Sequence, residues 1–315
     1  MIEDVLRKVV DEVRSGRSVA LCAIVARRGS TPQPAGTIVC VDHAVQMTGT
    51  LGGGCVEADL RRQAHQCLSD KACRIITFTL DHDFGYDDGM LCGGQMDIAV
   101  TVYSPTNDIS AIVNALHLLD CGLPTEIPLW IAGDTGNVEY RIRIAATPKL
   151  VIVGGGHIGR ILAQISVPLG FRVSVLDDRQ QFANPDRFPP PMTPVAGDIA
   201  KVLKEWPIDV NTYIVIVTRG HKHDETALRS VLGSPARYIG MIGSRRKVRV
   251  IFDDLLHEGV PEAQIACVHA PIGLKIGAVT AEEIALSIAA ELVSIRRAEG
   301  GMEVTGPTVT VSAVS

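Results

Sequence analysis

The sequence predicts an α/β fold in which an N-terminal α/β domain is followed by a doubly wound parallel-sheet domain. From residue 149 onward, strand-like and helix-like segments alternate regularly, as in parallel sheets with helical connections. The strands are uninterrupted apolar runs such as KLVIVGG (149–155) and TYIVIVT (212–218), which is typical of strands buried on both faces. A glycine-rich turn, GGGHIG (154–159), joins the first strand to a helix. These features indicate a Rossmann-like domain.

The length of 315 residues suggests two domains, because a single core stops growing near roughly 250–300 residues. Thr147-Pro148 indicates a boundary, since such a dipeptide interrupts regular structure. The predicted segments are a first α/β domain over 1–104, a connector over 105–148, the Rossmann-like domain over 149–297 and a tail over 298–315.

Each predicted element follows from hydrophobic spacing. The first helix covers Ile2–Arg14, where apolar residues share one face before Gly16. A capping box of Thr280 and Glu283 opens the last helix. The other helices are predicted near 56–68, 158–169, 198–205, 225–232 and 245–257. The other strands are predicted at 19–26, 37–41, 74–80, 97–103, 171–178 and 237–243. The connector is predicted to contain a short helix and a hairpin.

The composition is that of a globular protein rather than a disordered one, with 46% hydrophobic and 21% charged residues. The net charge is −5 and no run of like charge occurs, so a nucleic-acid partner is not expected. No apolar run reaches the roughly 18 residues of a membrane span, and no signal peptide is visible. We therefore expect a cytoplasmic protein without membrane contact. The eight cysteines form no C-x-x-C pair, so no structural metal site is expected.

The glycine-rich turn is a candidate phosphate site. Its glycines match the pattern G-x-G-x-x-G between a strand and a helix, which lets the backbone approach a phosphate at the helix N-terminus. The predicted contacts are Gly154, Gly156, His157 and Gly159. Asp177 ends the next strand, 18 residues beyond the last glycine, where a carboxylate accepts hydrogen bonds from a ribose, and Asp178 is the alternative. The same pattern fits a turn that only packs strand on helix, and it does not identify the ligand.

Two loops of the first domain place a cysteine beside glycines. In GTLGGGCVE (49–57), Cys55 lies at the predicted start of a helix, where a thiolate is favoured. In CGGQ (92–95), Cys92 precedes two glycines. A thiolate is a nucleophile and a soft metal ligand, and adjoining glycines let a bulky ligand approach. The alternative is a small packing residue. The candidate residues are Gly52, Gly53, Gly54, Cys55, Cys92, Gly93 and Gly94.

Three further loops carry polar residues. RRGSTPQPAG (27–36) is a candidate anion loop or a solvated turn. The segment Thr218–Asp224 follows a central strand and is expected to face the glycine-rich turn. Its two histidines and Asp224 are too few and too close together to suffice for a metal site. Arg245 opens another helix and is a candidate phosphate contact.

These ordered segments resemble the XdhC/CoxI family of maturation factors for molybdenum hydroxylases such as xanthine dehydrogenase and carbon monoxide dehydrogenase. In the first domain the resemblance rests on RRGSTPQPAG, GTLGGGCVE and CGG. In the second it rests on VIVGGGHIG, VLDDR, FANPDRFP, YIGMIGSRR, PIGLKIG and TAEEIALSIAAELV. It covers most of residues 10–297 apart from the connector, and the cysteine loops resemble those of the CoxI-like members.

The resemblance implies a protein that binds the molybdenum cofactor, as molybdopterin or its dinucleotide form, and protects it. It also implies that the protein supports sulfuration of the cofactor and delivers it to a client molybdenum hydroxylase of the xanthine dehydrogenase family. Cys55 and Cys92 would then handle sulfur or metal, with a cysteine desulfurase as a further candidate partner. A homodimer is the expected assembly.

The main alternative is an NAD(P)-dependent oxidoreductase that uses the Rossmann domain. Such an enzyme needs a proton donor beside the hydride site. His157, His221 and Lys222 are available, but no constellation in the sequence specifies one of them. A non-catalytic accessory protein is therefore preferred to a dehydrogenase, and a regulatory nucleotide sensor is the third hypothesis.

Overall fold

The computed structural model describes residues 2–80, 94–133, 136–298 and 303–310. They divide into two compact units. The first unit comprises Met1–Ala146 and Gly301–Ser315, and the second comprises Thr147–Gly300.

The first unit contains two antiparallel sheets and three helices within the described residues. Its elements are α1 (Ile2–Arg14), β1 (Val19–Arg28), β2 (Ile38–Asp42), β3 (Met47–Thr48), α2 (Gly54–Asp70), β4 (Arg74–Thr79), β5 (Gln95–Tyr103), α3 (Ser110–Asp120), β6 (Thr125–Gly133), β7 (Gly136–Ile144) and β14 (Glu303–Thr310). The strand orders are β3-β2-β1-β5-β4 and β14-β7-β6.

Strand β1 divides the first unit into two cores. Its odd-numbered residues from Val19 to Val25 pack with α1 and α3, whereas its even-numbered residues from Ala20 to Ile24 pack with α2. Successive side chains of a strand point to opposite faces, so a strand covered on both faces must be apolar throughout. This explains the unbroken apolar run of the sequence.

Residues 105–148, predicted as a connector, form α3 and the β6–β7 hairpin. Ile112 of α3 and Ile127 and Ile142 of the hairpin are buried in the same core as α1. Strand β14, within the predicted tail, pairs with β7 so that Val304 lies opposite Ile142. These segments belong to the first unit because their apolar faces complete its core.

The second unit is a doubly wound parallel sheet. Its elements are β8 (Lys149–Val153), α4 (His157–Ser166), β9 (Arg172–Asp177), β10 (Thr193–Ala196), α5 (Ile199–Glu205), β11 (Thr212–Ile216), α6 (His221–Val231), β12 (Tyr238–Met241), α7 (Arg245–His257), α8 (Glu262–Ala266), β13 (Val268–His269) and α9 (Ala281–Ala298). The strand order is β10-β9-β8-β11-β12-β13, with every neighbouring pair parallel. The predicted α/β class with a Rossmann-like sheet is confirmed.

Helices cover both faces of this sheet. Leu150 and Ile152 of β8 pack on the side of α4 and α9, and Val151 and Val153 pack on the side of α5, α6 and α7. This arrangement leaves the carboxyl ends of the strands as the edge where ligands bind in such folds. In the described part of the chain, no helix combines the length and apolar character that crossing a membrane requires.

Candidate functional site

Two positions of the glycine-rich turn between β8 and α4 require glycine for packing. Gly154 has a φ of +117°, and a Cβ there would lie 2.4 Å from the carbonyl oxygen of Val217. A Cβ on Gly159 would lie 1.9 Å from the carbonyl oxygen of Gly154. Because both contacts are with backbone, a larger residue at Gly154 would push the turn away from the end of β11, and one at Gly159 would push α4 away from the turn.

Gly156 has a different environment. It precedes α4 with an extended backbone (φ −66°, ψ −164°), and a Cβ there would meet nothing within 4 Å. A Cβ on Gly155, by contrast, would lie 2.1 Å from the carbonyl oxygen of Phe182. The open space therefore lies at the N-terminus of α4, where free N–H groups favour an anion. A phosphate contact at Gly156, and one at the exposed His157, remain predictions.

Asp177 holds the turn from the end of β9. Its carboxylate accepts hydrogen bonds from the backbone N–H of Gly155 (2.9 Å) and from the backbone N–H of Arg179 (3.0 Å). The guanidinium of Arg179 donates two more, at 2.9 and 3.1 Å. Burial raises the pKa of Asp177, but these hydrogen bonds outweigh it and hold the pKa below its usual value. The predicted ribose contact of Asp177 remains a prediction, and its oxygens already have partners.

The segment that follows β9 lies against the same turn. Nε of Arg187 donates to the carbonyl oxygen of Gly155 at 3.0 Å. The guanidinium of Arg179 lies over the ring of Phe182, 3.6 Å from its centroid, a cation–π contact. Arg179 and Arg187 were not singled out from the sequence, although Arg179 directly follows the two predicted acids.

The segment after β11 lies beside the glycine-rich turn, as predicted. Helix α6 begins at His221, four residues before the predicted start, so His223 and Asp224 lie in its first turn. Asp224 is fully buried and accepts hydrogen bonds from the backbone N–H (3.1 Å) and hydroxyl (2.6 Å) of Thr218. It also forms an ion pair with Lys247 of α7. Its carboxylate therefore links β11, α6 and α7.

Arg219 reaches across this edge of the sheet. Its Nη2 donates to Oδ2 of Asp178 at 2.8 Å, and its Nε approaches Nε2 of His223 at 3.4 Å. Asp178 follows β9 and Arg219 follows β11, with β8 between these strands. The ion pair thus joins the two sides of the glycine-rich turn.

Arg245 is exposed at the first residue of α7, where the side chain of Ser244 caps the helix by accepting from the backbone N–H of Lys247 at 3.3 Å. A cleft of about 400 Å³ between α6 and α7 is lined by Arg246 and Lys247 but not by Arg245. The predicted phosphate contact of Arg245 remains a prediction.

The Cys55 loop, which comprises residues 49–57 of the first unit, is organised by Glu57. Oε1 of Glu57 accepts hydrogen bonds from the hydroxyl of Thr50 (2.7 Å) and from the backbone N–H groups of Leu51 (2.8 Å) and Gly53 (2.9 Å). Burial raises the pKa of Glu57, but these hydrogen bonds outweigh it and lower the pKa. The sequence signal was an acid in the first turn of a helix that follows a run of free amides.

Cys55 is exposed in the first turn of α2, after three glycines with positive φ. The φ values are +108° for Gly52, +85° for Gly53 and +71° for Gly54. Only glycine adopts such a run without strain, so the backbone leaves the thiol accessible beside side-chain-free positions. The predicted role of Cys55 and of these glycines remains a prediction.

Two of the predicted loops contact the RRGSTPQPAG loop. A Cβ on Gly52 would lie 2.5 Å from Cβ of Pro32, and a Cβ on Gly94 would lie 2.0 Å from the carbonyl oxygen of Ser30. Glycine at both positions allows the three segments to pack closely. Cys92 and Gly93 lie outside the described residues.

The buried cysteines differ from Cys55. Burial raises the pKa of Cys40 to about 11, and it also raises the pKa of Cys22, which is fully buried. These thiols are packing residues. Cys121 and Cys267 are exposed like Cys55, but they lie at the ends of α3 and α8 rather than in a glycine-rich loop.

Two related domain families match the chain. The family described as the XdhC Rossmann domain matches residues 150–292, and the one described as the XdhC and CoxI family matches residues 12–79. The two matches together cover more than half of the chain and include both the glycine-rich turn and the Cys55 loop.

Curated relatives match over nearly the whole chain. The chain is 29% identical over 286 residues to the uncharacterized protein YqeB of Escherichia coli (strain K12), covering 90% of this chain and 44% of YqeB. It therefore spans less than half the length of that relative. It is 24% identical over 325 residues to a probable xanthine dehydrogenase subunit of Bacillus subtilis (strain 168), covering 88% of this chain and 93% of that one. It is 22% identical over 301 residues to the molybdenum cofactor insertion chaperone PaoD of Escherichia coli (strain K12), covering 93% and 88%.

A solved structure shares the fold. The crystal structure named as a xanthine dehydrogenase from Bacillus halodurans superposes with a TM-score of 0.79 at 20% identity, covering 95% of this chain and 96% of that one. The family matches over both units show that the chain belongs to the XdhC and CoxI family.

Proposed function

We propose that the chain is a maturation factor that binds the molybdenum cofactor and inserts it into a molybdenum hydroxylase of the xanthine dehydrogenase family. The observation that carries the proposal is the family match in both units, on the segments that form the two candidate sites. The likeness to PaoD, named as a molybdenum cofactor insertion chaperone, supports it because it extends over 93% of this chain.

Each candidate site, taken by itself, fits one part of this cofactor. The cofactor ends in a phosphate, or in a pyrophosphate and nucleoside in its dinucleotide form. The open space at Gly156 and the N-terminus of α4 suit that end. Its molybdenum centre takes up a sulfur ligand during sulfuration. The exposed thiol of Cys55, directly after three glycines, suits that end.

In this function, the chain protects the cofactor, supports its sulfuration and delivers it to the client. The Rossmann unit binds the phosphate end through backbone N–H groups. Cys55 would ligate the metal, or would take the outer sulfur of a cysteine desulfurase persulfide by thiol exchange, which releases the desulfurase thiol. When bound, the cofactor carries the molybdenum centre that the hydroxylase needs for its own reaction.

The test is the cofactor content of the protein itself. The chain is purified from cells that make the molybdenum cofactor and from cells that lack it, and its molybdenum, pterin and nucleotide contents are measured. We expect molybdenum and pterin only from the first cells, and activation of an inactive client hydroxylase only by that preparation. A preparation with neither pterin nor client activation, but with bound NAD(P), would contradict the proposal and favour an oxidoreductase.

A further inference from the structure

The ion pair between Asp178 and Arg219 lies where a phosphate-bearing ligand would enter the Rossmann unit. The two residues follow β9 and β11, the strands on either side of β8, and β8 leads into the glycine-rich turn. Their charged atoms are 2.8 Å apart. A ligand that reaches Gly156 must therefore share this edge of the sheet with the pair.

The carboxylate of Asp177 already has hydrogen-bond partners within the chain. A carboxylate offers about four lone-pair positions, and Asp177 already accepts four hydrogen bonds from Gly155 and Arg179. It is also only 3% exposed. The neighbouring carboxylate of Asp178 is 31% exposed, so a ribose at the end of β9 meets Asp178 first.

Arg219 is held loosely enough to change partners. Its side chain is 47% exposed, and water screens such a pair so that it contributes little to folding stability. A guanidinium binds phosphate through parallel charge-assisted hydrogen bonds, which are stronger than single contacts. A phosphate near the turn is therefore a better partner for Arg219 than Asp178 is.

We propose that a ribonucleoside diphosphate group splits this ion pair, so that Arg219 binds the phosphate and Asp178 accepts hydrogen bonds from the ribose. Opening of the ion pair then frees Arg219 for the phosphate and Asp178 for the ribose. Arg219 is thereby a phosphate-binding residue of the Rossmann unit. Arg219 takes this role only if the glycine-rich turn holds a phosphate, as the proposed function requires.

The experiment titrates the full chain with ADP, CDP and inorganic pyrophosphate by calorimetry. Arg219→Gln should weaken binding of the nucleotides and of pyrophosphate by at least about tenfold, because even one charge-assisted hydrogen bond contributes that much. Asp178→Asn should bind pyrophosphate more tightly than the wild type, because Arg219 loses its competing partner. Its preference for the nucleotides over pyrophosphate should fall, because asparagine offers the ribose one neutral acceptor oxygen in place of a charged carboxylate.

Arg172→Gln is the matched control. Arg172 is an exposed arginine at the other end of β9, so this variant changes the net charge equally, away from the turn. Melting curves of all variants check that the fold persists. If the wild type binds the probes and Arg219→Gln binds them as Arg172→Gln does, the ion-pair inference is wrong while the phosphate site stands. If the wild type binds none of the probes, the phosphate site itself is wrong, and the inference fails with it.

Discussion

A carboxylate holds each of the two glycine-rich loops from within. Oε1 of Glu57 accepts the backbone N–H groups of Leu51 and Gly53, and Asp177 accepts that of Gly155. In both cases the hydrogen bonds keep the acid ionised in spite of burial. The loops are therefore shaped by the chain itself, which lowers the entropy that a ligand must overcome on binding.

Substitution of Gly156 tests the phosphate site without disturbing the fold. Gly156→Val should bind ADP at least tenfold more weakly, because the side chain fills the space that a phosphate needs. The fold should survive, since the backbone at Gly156 is extended and a Cβ meets nothing within 4 Å. Gly154→Val is the contrasting variant and should melt earlier, because its φ is +117° and its Cβ would strike the Val217 carbonyl. Unchanged ADP affinity in folded Gly156→Val would exclude a phosphate at this glycine.

Substitution of Cys55 distinguishes a chemical role of its thiol from a packing role. Cys55→Ser should leave the melting temperature nearly unchanged, because the side chain is exposed. In cells, it should reduce activation of the client hydroxylase and the cofactor content of the purified protein, since a serine hydroxyl neither ionises like a thiol nor carries sulfur. Cys121→Ser, an exposed cysteine outside any glycine-rich loop, is the control. Equal activation by both variants would show that the Cys55 thiol is a bystander.

Among helices and strands, hydrophobic spacing predicted the secondary structure best where burial alone decides it. Strands β8 and β11 are buried on both faces, and their apolar runs identified them. Strand β10 was not predicted, because this four-residue edge strand contains a proline and gains its structure from pairing with β9. The first turn of α6 has no apolar periodicity, and contacts of Asp224 with Thr218 help to fix it. Pairings between distant segments cannot be read from local spacing.

In the candidate sites, too, local features could be predicted and contacts between distant segments could not. The glycine-rich turn and the Cys55 loop were visible as local motifs. The contacts of Arg219 and Arg187 were not, because their partners lie 41 and 32 residues away. Loops that follow different strands of a parallel sheet meet only once the sheet has formed.

Truncation of strand β14 tests whether its pairing with β7 stabilises the first unit. Removing residues 299–315 should destabilise the first unit, because β14 has six residues in register with β7 and each cross-strand pair contributes roughly 0.2–1 kcal/mol. Removing only residues 311–315 keeps the strand and is the control. Chemical denaturation measures the free energy of unfolding of both truncated proteins. Equal values would show that β14 adds nothing to the stability of the unit.

In the whole molecule, a set of carboxylates shares one property: their pKa values are lowered in the folded state. They are Glu12, Asp42, Glu57, Asp108, Asp177, Asp209, Glu258 and Glu283. Each binds a proton more weakly when folded than when unfolded. Its contribution to stability is therefore present above the unfolded pKa and is lost as the pH falls through the folded pKa.

Glu12 has the strongest structural basis among these groups. It is 3% exposed at the end of α1. Arg17 donates to Oε2 at 2.6 Å and Lys8 donates to Oε1 at 2.9 Å. The hydrogen bond from Arg17, followed by that from Lys8, outweighs burial and lowers the pKa of Glu12 from 4.5 to about 2.

Replacement of Glu12 should therefore change how the protein responds to acid. Glu12→Gln should lose up to about 3 kcal/mol of unfolding free energy at neutral pH, because one pKa unit corresponds to about 1.4 kcal/mol. Between pH 4.5 and about 2 the wild type should lose that same contribution as Glu12 takes up its proton, so the two proteins should converge in stability. Asp11→Asn, an exposed neighbour in the same helix, should stay close to the wild type throughout. Urea denaturation from pH 7 down to pH 3 follows the difference. A gap between wild type and Glu12→Gln that does not narrow as the pH falls would mean that ionisation of Glu12 does not stabilise the first unit.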